Sequence, residues 1–214
     1  MRPVLVWLGH AGFRIEGSSI VYIDPYRIKE QNPPKADYVL VTHSHYDHLS
    51  DADIRKIVKD TTTLISTPDC IAQFKGKKAA IKPGEELEFG TLKVKAVPAY
   101  NLTKSFHQKS SGWVGFLVTL DDVTFYHSGD SDAIPEMADI KADVVLLPVG
   151  GTYTMDAQEA AEVASKINPR VAIPMHYGAI IGSANDAIQF KRYATCPVKI
   201  LTEGERWEVN FSNL

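Results

Sequence analysis

The stretch Thr42-His43-Ser44-His45-Tyr46-Asp47-His48 places three imidazoles and a carboxylate within a few residues of one another. It directly follows Tyr38-Val39-Leu40-Val41, an apolar run that predicts a buried strand. Without a bound ion, imidazoles packed this closely would repel one another when protonated, and they would bury no apolar surface. A divalent cation removes that conflict, because neutral imidazole nitrogens and ionised carboxylate oxygens are good ligands for zinc and similar metals. The stretch therefore predicts a metal site where a strand ends.

The bulk composition predicts an ordinary globular protein. The 214 residues suit one domain, which we expect to span residues 1–214. The formal net charge is only -3, and no block of Lys and Arg alternates with aromatics, so we expect no nucleic-acid partner. Cys70 and Cys196 lie far apart and outside any CxxC pair, which favours reduced thiols. The apolar N-terminal run is too short for a signal peptide, and no segment approaches membrane-spanning length, so we expect a cytoplasmic protein without a membrane span.

The hydrophobic pattern predicts two strand-rich blocks, each followed by alternating strands and helices. Helices are expected from a Ser50 cap to about residue 59, after Pro68, from an Asp156 capping box to Ile167, and over 185–193. This order predicts an α/β (α+β) fold with two mixed sheets packed face to face and helices outside. Strands are predicted at 4–8, 13–16, 19–23, 38–41, 64–66, 79–81, 86–89, 91–97, 113–120, 123–127, 143–147, 171–174, 198–201 and 206–211.

The spacing of the histidine cluster indicates how it could bind metal. His43 and His45 are two residues apart, so on an extended backbone they point the same way and can bind one ion. Asp47 and His48 are adjacent and point differently, which favours a second ion or a supporting role. An ion takes roughly four ligands, so the cluster needs partners from elsewhere in the chain.

The best partners follow later strands. Asp130 comes after the strand that ends at His127, and His176 comes directly after another strand. An aspartate that bridges two ions roughly 3.5–4 Å apart would complete a two-metal hydrolytic site. His10 follows the first strand, and His107 lies in the long polar stretch 98–112, which is of a length typical of functional loops.

These motifs resemble the metallo-β-lactamase superfamily of metal-dependent hydrolases. Its signature His-x-His-x-Asp-His stands here as His43 to His48, followed in order by Gly129-Asp130 and His176, while Asp24 resembles a buried aspartate that orients the histidine loop. The opening Leu8-Gly9-His10-Ala11-Gly12 and the small size are similar to the branch of ascorbate-phosphate lactonase and N-acyl-phosphatidylethanolamine phospholipase D. The resemblance implies a four-layer αβ/βα sandwich.

The resemblance also implies the ligand sets. One zinc ion would be bound by His43, His45 and a third histidine; the second ion would be bound by Asp47, His48 and His176; Asp130 would bridge them. Two Zn²⁺ ions per chain are expected, with Mn²⁺ or Fe²⁺ as alternatives. The third histidine departs from the pattern, because Asn101 stands where the family has it and the nearest imidazole is His107. We expect His107 to fold back and replace the missing histidine. The alternative is that Asn101 or water completes that site.

Other residues are predicted to support the ligands or to contact substrate. We expect Asp24, His10 and His127 to hydrogen-bond to the metal ligands. The turn at 150–153 lies between a strand and a helix, so its backbone N–H groups could receive a phosphate or carboxylate, or it could be a plain tight turn. Lys104 and Lys109 could attract an anionic substrate or be simply solvated. The predicted substrate contacts are Asn101, Gly151, Thr152 and Tyr177.

These features predict an enzyme in which metal-activated hydroxide attacks a small ester, lactone, amide or phosphodiester. Asp47 and Asp130 are the predicted catalytic carboxylates, and the substrate is a small molecule, with an anionic one left open. No GxSxG elbow supports serine catalysis instead. One alternative is a non-catalytic metal-binding regulatory module, and a less favoured one is a nuclease of the same superfamily. The oligomeric state is left open by the sequence.

Overall fold

Thirteen strands form two sheets in the computed structural model, which describes residues 2–72 and 74–212. The predicted domain boundaries at residues 1 and 214 lie outside the described residues. The strands are β1 (Val4–Gly9), β2 (Gly12–Glu16), β3 (Ile20–Ile23), β4 (Tyr38–Val41), β5 (Thr63–Ser66), β6 (Lys77–Ala80), β7 (Glu86–Phe89), β8 (Leu92–Pro98), β9 (Val114–Leu120), β10 (Val123–His127), β11 (Val144–Pro148), β12 (Val171–Met175) and β13 (Arg206–Glu208).

Both sheets mix parallel and antiparallel pairs. The first has the order β13-β1-β2-β3-β4-β5-β6, and its strands from β3 to β6 run parallel. The second has the order β12-β11-β10-β9-β8-β7, and its strands from β10 to β12 run parallel. Because parallel strands end at the same edge, the loops after β3 and β4 meet, as do the loops after β10, β11 and β12.

The helices begin where the sequence offers caps. Ser50 caps α1 (Asp51–Ile57), accepting from the backbone N–H of Asp53. Asp156 forms a capping box with Glu159 at the start of α3 (Ala157–Ile167). The other helices are α2 (Pro68–Ile71) and α4 (Ala184–Tyr193), and short 3₁₀ turns occupy Lys109–Ser111 and Pro135–Asp139.

Successive side chains along a strand of the first sheet point alternately into two buried layers. Leu5 and Trp7 of β1 belong to the large core that also contains the second sheet, α3 and α4. Val6 and Leu8 of the same strand pack instead with Ile54 and other residues of α1 and α2. A strand that is buried on both faces in this way lies between a helix layer and a second sheet. The predicted fold class, two mixed sheets with helices outside, is confirmed.

The predictions for the C-terminal strands are wrong in part. The stretch 198–201 forms only an isolated bridge between Val198 and Ala172. Ala172 donates its N–H to the Pro197 carbonyl, and its own carbonyl accepts from the Lys199 N–H. Two residues further along β12 stands Pro174, which has no N–H with which to continue the ladder toward residue 201. The last strand stops at Glu208 rather than 211, and α1 ends at Ile57, because Val58 is already extended.

Among the described residues, every helix is too short or too polar to cross a bilayer.

Candidate metal centre

Residues of the predicted donor set lie on loops at one edge of the two sheets. His10 follows β1, the histidine cluster follows β4, Asp130 lies three residues beyond β10, and His176 follows β12. Three residues here, His10, Asp24 and His176, are in the left-handed region, with φ of 51°, 46° and 59°. Such backbone conformations are costly for residues other than glycine and are found preferentially at functional sites.

The first group of donors consists of His43, His45 and Asp130, whose donor atoms lie within 4.8 Å of one another. His43 Nε2 is 2.9 Å from His45 Nδ1 and 3.8 Å from Asp130 Oδ2. His43 and Asp130 are buried, while His45 is half-buried and lines the pocket described below. The two imidazoles therefore present nitrogens to one point, as their spacing predicts.

The second group consists of His10, Asp47, His48 and His176, again within 4.8 Å. Asp47 Oδ2 lies 3.7 Å from His48 Nε2 and 3.9 Å from His176 Nε2. His10 Nε2 is 2.9 Å from the same oxygen, so the His10 imidazole contacts Asp47 directly. His10 also packs on His176, with ring centroids 4.0 Å apart.

Asp130 lies between the two groups. Its Oδ1 is 3.2 Å from His48 Nε2 and its Oδ2 is 3.2 Å from His176 Nε2, in addition to the contact with His43. A glycine precedes it, and Gly129 has a φ of 58°, a conformation that glycine adopts without cost. One carboxylate is thus adjacent to donors of both groups.

Asp24 and Thr42 determine which nitrogens face the centre. Asp24 Oδ2 accepts from the Thr42 hydroxyl at 2.7 Å and from His48 Nδ1–H at 2.7 Å. Because the Thr42 hydroxyl donates to Asp24, it accepts from His43 Nδ1–H at 2.8 Å. Both imidazoles therefore carry a proton on Nδ1 and present Nε2 to the centre.

His107 folds back toward the first group. Its ring is fully buried, and its centroid is 4.6 Å from that of His43 and 6.2 Å from that of His45. Asn101 holds it there: its Oδ1 accepts from the His107 N–H at 3.0 Å, and its Nδ2 donates to Asp132 and to the Tyr153 carbonyl. With both ends of its amide engaged inside the protein, Asn101 is placed to position His107 rather than to contact a metal or substrate.

Burial keeps most of these imidazoles neutral. It lowers the pKa of His107 to about 4, lowers the pKa of His43 well below its ordinary value, and also lowers the pKa of His45. His48 differs: burial would lower its pKa, but the Asp130 and Asp24 carboxylates outweigh burial and raise it well above the ordinary value. Burial raises the pKa of Asp130, yet His176 and His48 overcome this and hold it well below its usual range. Neutral imidazole and ionised carboxylate are the forms that bind metal.

The centre has the chemistry of a site for cations. Among the described residues, nine buried side-chain nitrogen and oxygen atoms lack a hydrogen-bond partner, and seven of them belong to His10, His48, His107, Asp130 and His176. Buried polar atoms without partners are costly, so such a concentration calls for a ligand. Imidazole nitrogens around a carboxylate suit zinc and other transition metals, and the residues present fit such ions.

The comparisons with known proteins agree with this geometry. The family described as beta-lactamase superfamily domain matches residues 4–176, well over half of the chain. The chain belongs to the metallo-β-lactamase superfamily. Of its relatives, the UPF0173 metal-dependent hydrolase of Archaeoglobus fulgidus is 34% identical over 96% of this chain and 99% of that protein. The UPF0173 metal-dependent hydrolase of Thermococcus kodakarensis is 34% identical over 95% of this chain and 98% of that protein.

A solved structure shares the fold. Igni18, a metallo hydrolase from the hyperthermophilic archaeon Ignicoccus hospitalis, superposes with a TM-score of 0.79 at 23% identity, covering 97% of this chain and 98% of that one. The family membership and the donor cluster together make the chain an enzyme, a metal-dependent hydrolase of the metallo-β-lactamase fold.

His127, also predicted to support the ligands of this hydrolase, contacts backbone rather than donor atoms. His127 Nε2 donates to the Ala11 carbonyl at 2.8 Å, and its Nδ1 accepts from the Gly129 N–H at 3.1 Å. It thereby holds the turn that carries Asp130 against the loop after β1. His127 therefore supports the centre indirectly, by holding the backbone of Gly129 next to Asp130.

Three predicted substrate contacts lie away from the open pocket beside the donors. The Gly151 N–H donates to the Met155 carbonyl at 3.0 Å and is therefore not free for an anion. Thr152 is exposed, and Tyr177 is buried and packs on Trp7 with ring centroids 5.1 Å apart. The turn at 150–153 thus matches the plain-turn interpretation. The pocket has a volume of about 210 Å³ and is lined by His45, Tyr46, Asp47, Phe106, His107, Asp130, Tyr153, His176 and Ile180.

Trp113 is a neighbour of the centre that the sequence did not predict. Its ring lies 5.2, 4.9 and 4.7 Å from the rings of His43, His45 and His107, and its Nε1–H donates to Asp69 at 2.9 Å. It forms a wall behind the first donor group. The sequence signal that it offers is its position directly before β9, because aromatic residues are enriched in strands.

Proposed function

We propose that this member of the metallo-β-lactamase superfamily is a dinuclear metal hydrolase, with zinc as the metal, that cleaves a small ester, lactone, amide or phosphodiester. The observation that carries the proposal is the position of Asp130 between two donor groups, 3.2 Å from His48 and His176 and 3.8 Å from His43. His43, His45 and His107 would bind one ion, Asp47, His48 and His176 the other, and Asp130 would contact both. When bound, the ions supply the Lewis acidity that makes a water nucleophilic near neutral pH.

The chain's own residues would orient the reaction. Asp47 lines the pocket, and its Oδ2 is fixed by His10 at 2.9 Å. This contact, His48 and His10 itself hold the pKa of the Asp47 carboxyl below its ordinary value even though burial raises it. An ionised, oriented carboxylate at the pocket wall can accept a proton from an attacking water and return it to the leaving group. Asp24 and Thr42 keep His43 and His48 in the tautomers that accept a cation.

An open pocket beside the donors favours an enzyme over a closed metal-binding module. His45, Asp47, Asp130 and His176 all line it, so a substrate can reach the donor residues directly. A site of purely structural metal has four protein ligands and no such access. A small substrate suits the volume of about 210 Å³.

The test is a panel of chromogenic esters, lactones and bis-phosphodiesters assayed with zinc, with manganese and after chelation. We expect at least one class to be hydrolysed, activity to disappear on chelation and return with metal, and Asp130→Ala to lose both bound metal and turnover. Hydrolysis that persists at full rate in metal-free protein, or full turnover by Asp130→Ala, would refute the proposal. The metal content of each sample is measured alongside, so that loss of metal is separated from loss of chemistry.

A further inference from the structure

The outer part of the pocket is aromatic. Phe106 and Tyr153 meet edge to face, with ring centroids 4.7 Å apart, and both line the pocket together with Tyr46 and Ile180. Tyr46 is 67% exposed and Phe106 is 49% exposed, so two large rings at the mouth of the cavity are left uncovered by the rest of the protein. Exposed apolar groups that cluster at a concave site mark a surface that a ligand covers.

The same pocket offers little to an anion. None of its lining residues is a lysine or an arginine. Lys104, on the loop nearby, is paired with Asp132 at 2.6 Å, and Lys109 is paired with Glu136 at 3.1 Å. Among the described residues, the charged side chains that line the wall, histidines apart, are the carboxylates of Asp47 and Asp130. Arg27 lies outside the lining, over the Tyr26 ring at 5.0 Å. A phosphate or carboxylate held against the lining itself would therefore find no lysine or arginine there to compensate its desolvation.

The aromatic side chains are also held in place. Tyr46 meets Tyr26 edge to face with centroids 6.1 Å apart, and the Tyr153 carbonyl accepts from Asn101 Nδ2 at 3.0 Å. The Asn101 amide in turn fixes the backbone of His107, next to Phe106. Asn101 thus connects the backbone of Tyr153 with that of His107, so the residues that carry the two rings of the Phe106–Tyr153 pair have a defined position relative to His107.

We infer that the substrate of this hydrolase is uncharged and carries a flat apolar group, of the size of a phenyl ring, that packs against Phe106, Tyr153 and Tyr46 while its ester, lactone or amide carbonyl faces the donor residues. This inference rests on the proposed function. It narrows the reaction to neutral acyl substrates and disfavours phosphorylated lactones and phosphodiesters. Of the two interpretations left open for Lys104 and Lys109, attraction of an anionic substrate is not favoured, because both lysines are paired with carboxylates.

The test compares three hydroxamates that share one chelating group and differ only beyond it: acetohydroxamate, benzohydroxamate and 4-carboxybenzohydroxamate. Their affinities for the zinc-loaded protein are measured by calorimetry, without turnover. We expect the phenyl ring to tighten binding roughly tenfold over the methyl group, from the apolar area that it buries. The added carboxylate should weaken binding relative to benzohydroxamate.

Variants locate the effect. Phe106→Ala and Tyr153→Ala should reduce the advantage of benzohydroxamate to less than about threefold while acetohydroxamate binds as before, because the lost contacts are apolar. The matched control is Tyr193→Ala, since Tyr193 is an aromatic residue of similar exposure, 52%, on α4 and outside this pocket. It should leave all three affinities unchanged. Bound zinc is counted in every variant.

The outcomes separate this inference from the proposal on which it rests. Equal binding of acetohydroxamate and benzohydroxamate to zinc-loaded protein would overturn the aromatic pocket and leave the metal hydrolase intact. Tighter binding of the carboxylated compound would overturn the preference for an uncharged group. If no hydroxamate bound the zinc-loaded protein, the metal centre itself would be wrong, and the inference would fall with it.

Discussion

The Thr42 hydroxyl and the Asp24 carboxylate form a short hydrogen-bond chain that reaches two imidazoles of the centre. Asp24 accepts from Thr42 N–H at 2.8 Å, from the Thr42 hydroxyl at 2.7 Å and from His48 at 2.7 Å, and it is completely buried. Partners of this kind fix the orientation of a ligand and increase its basicity, and their loss typically weakens metal binding 10- to 100-fold.

Asp24→Asn is therefore expected to weaken zinc binding by about tenfold or more and to destabilise the protein by about 1–3 kcal/mol, because one buried donor loses its acceptor. A zinc competition titration and urea unfolding measure the two effects. Asp37→Asn is the matched control: Asp37 accepts from the Ile20 N–H and pairs with Lys59, away from the centre. It should lower stability without changing zinc affinity. Unchanged zinc affinity in Asp24→Asn would contradict the role given to this carboxylate.

The charge on His48 makes metal binding depend on pH. In the metal-free protein the neighbouring carboxylates, against the effect of burial, raise the pKa of His48 well above its ordinary value, so its Nε2 carries a proton that a cation must displace. Zinc affinity should therefore fall as pH drops, by about tenfold per pH unit for each proton released, and rise with pH until His48 is neutral. Competition titrations between about pH 6 and about pH 8 measure the slope. A flat profile would mean that no proton leaves on binding.

The loop 98–112 carries His107, the donor that we propose in place of the histidine that the family pattern has at the position of Asn101. Asn101 fixes the His107 backbone, and His107 is buried against His43 with both nitrogens free of hydrogen bonds. The loop as a whole, rather than one residue, would complete the first donor group.

Two variants of this loop test it. His107→Ala should lose one of two metal ions per chain, and Asn101→Ala should weaken the same ion because the loop that presents His107 loosens. Lys104→Met is the control, since Lys104 also contacts Asp132 but does not contact His107. Elemental analysis after gel filtration gives the stoichiometry. Two ions retained by His107→Ala, with a raised KM for substrate, would instead make this histidine a substrate contact.

Several elements could be predicted from the sequence because their signals are local. Ser50 and Asp156 cap their helices through side chains only a few residues away, and the apolar run at β4 is buried on both faces. The bridge at Val198 could not be distinguished from a strand, because it depends on pairing with Ala172, far away in the chain. The pattern does not say whether a partner strand is available.

The residues of the candidate site likewise divide into those that local sequence signals predict and those whose positions depend on the fold. His43 and His45 are two residues apart, so their shared direction followed from spacing, and the places of Asp130 and His176 after later strands indicated them as partners. The family resemblance supplied the division into two ligand sets. The contact of His10 with Asp47, the burial of His107 and the wall formed by Trp113 depend on how the loops after β1, β4 and β8 fold together. The substrate contacts expected at Gly151 and Thr152 failed to appear in the pocket, because the hydrogen bonds of that turn are internal.

At the scale of the whole molecule, the centre joins the two sheets. Asp24 and the histidine cluster belong to the first sheet, and Asp130 and His176 belong to the second. A cation bound between them would stabilise the folded state over the unfolded one, by about 2.7 kcal/mol at a free metal concentration one hundred times Kd.

Removal of metal should therefore lower the midpoint of thermal unfolding, and the loss should reverse on adding zinc. Unfolding should remain one transition, as expected for a single domain over 1–214. Differential scanning calorimetry of chelated and zinc-loaded samples measures both. Asp130→Ala should abolish most of the shift on zinc addition. Separate transitions for the two sheets would contradict the single-domain prediction, and an unchanged midpoint would contradict metal binding between them.

The most direct measurement is anomalous diffraction from crystals of the zinc-loaded protein, with data above and below the zinc absorption edge. We predict two zinc peaks per chain, one on each side of the Asp130 carboxylate, the first among His43, His45 and His107 and the second among Asp47, His48 and His176. A well-ordered structure with no anomalous peak at this edge of the sheets, at saturating zinc, would contradict the account.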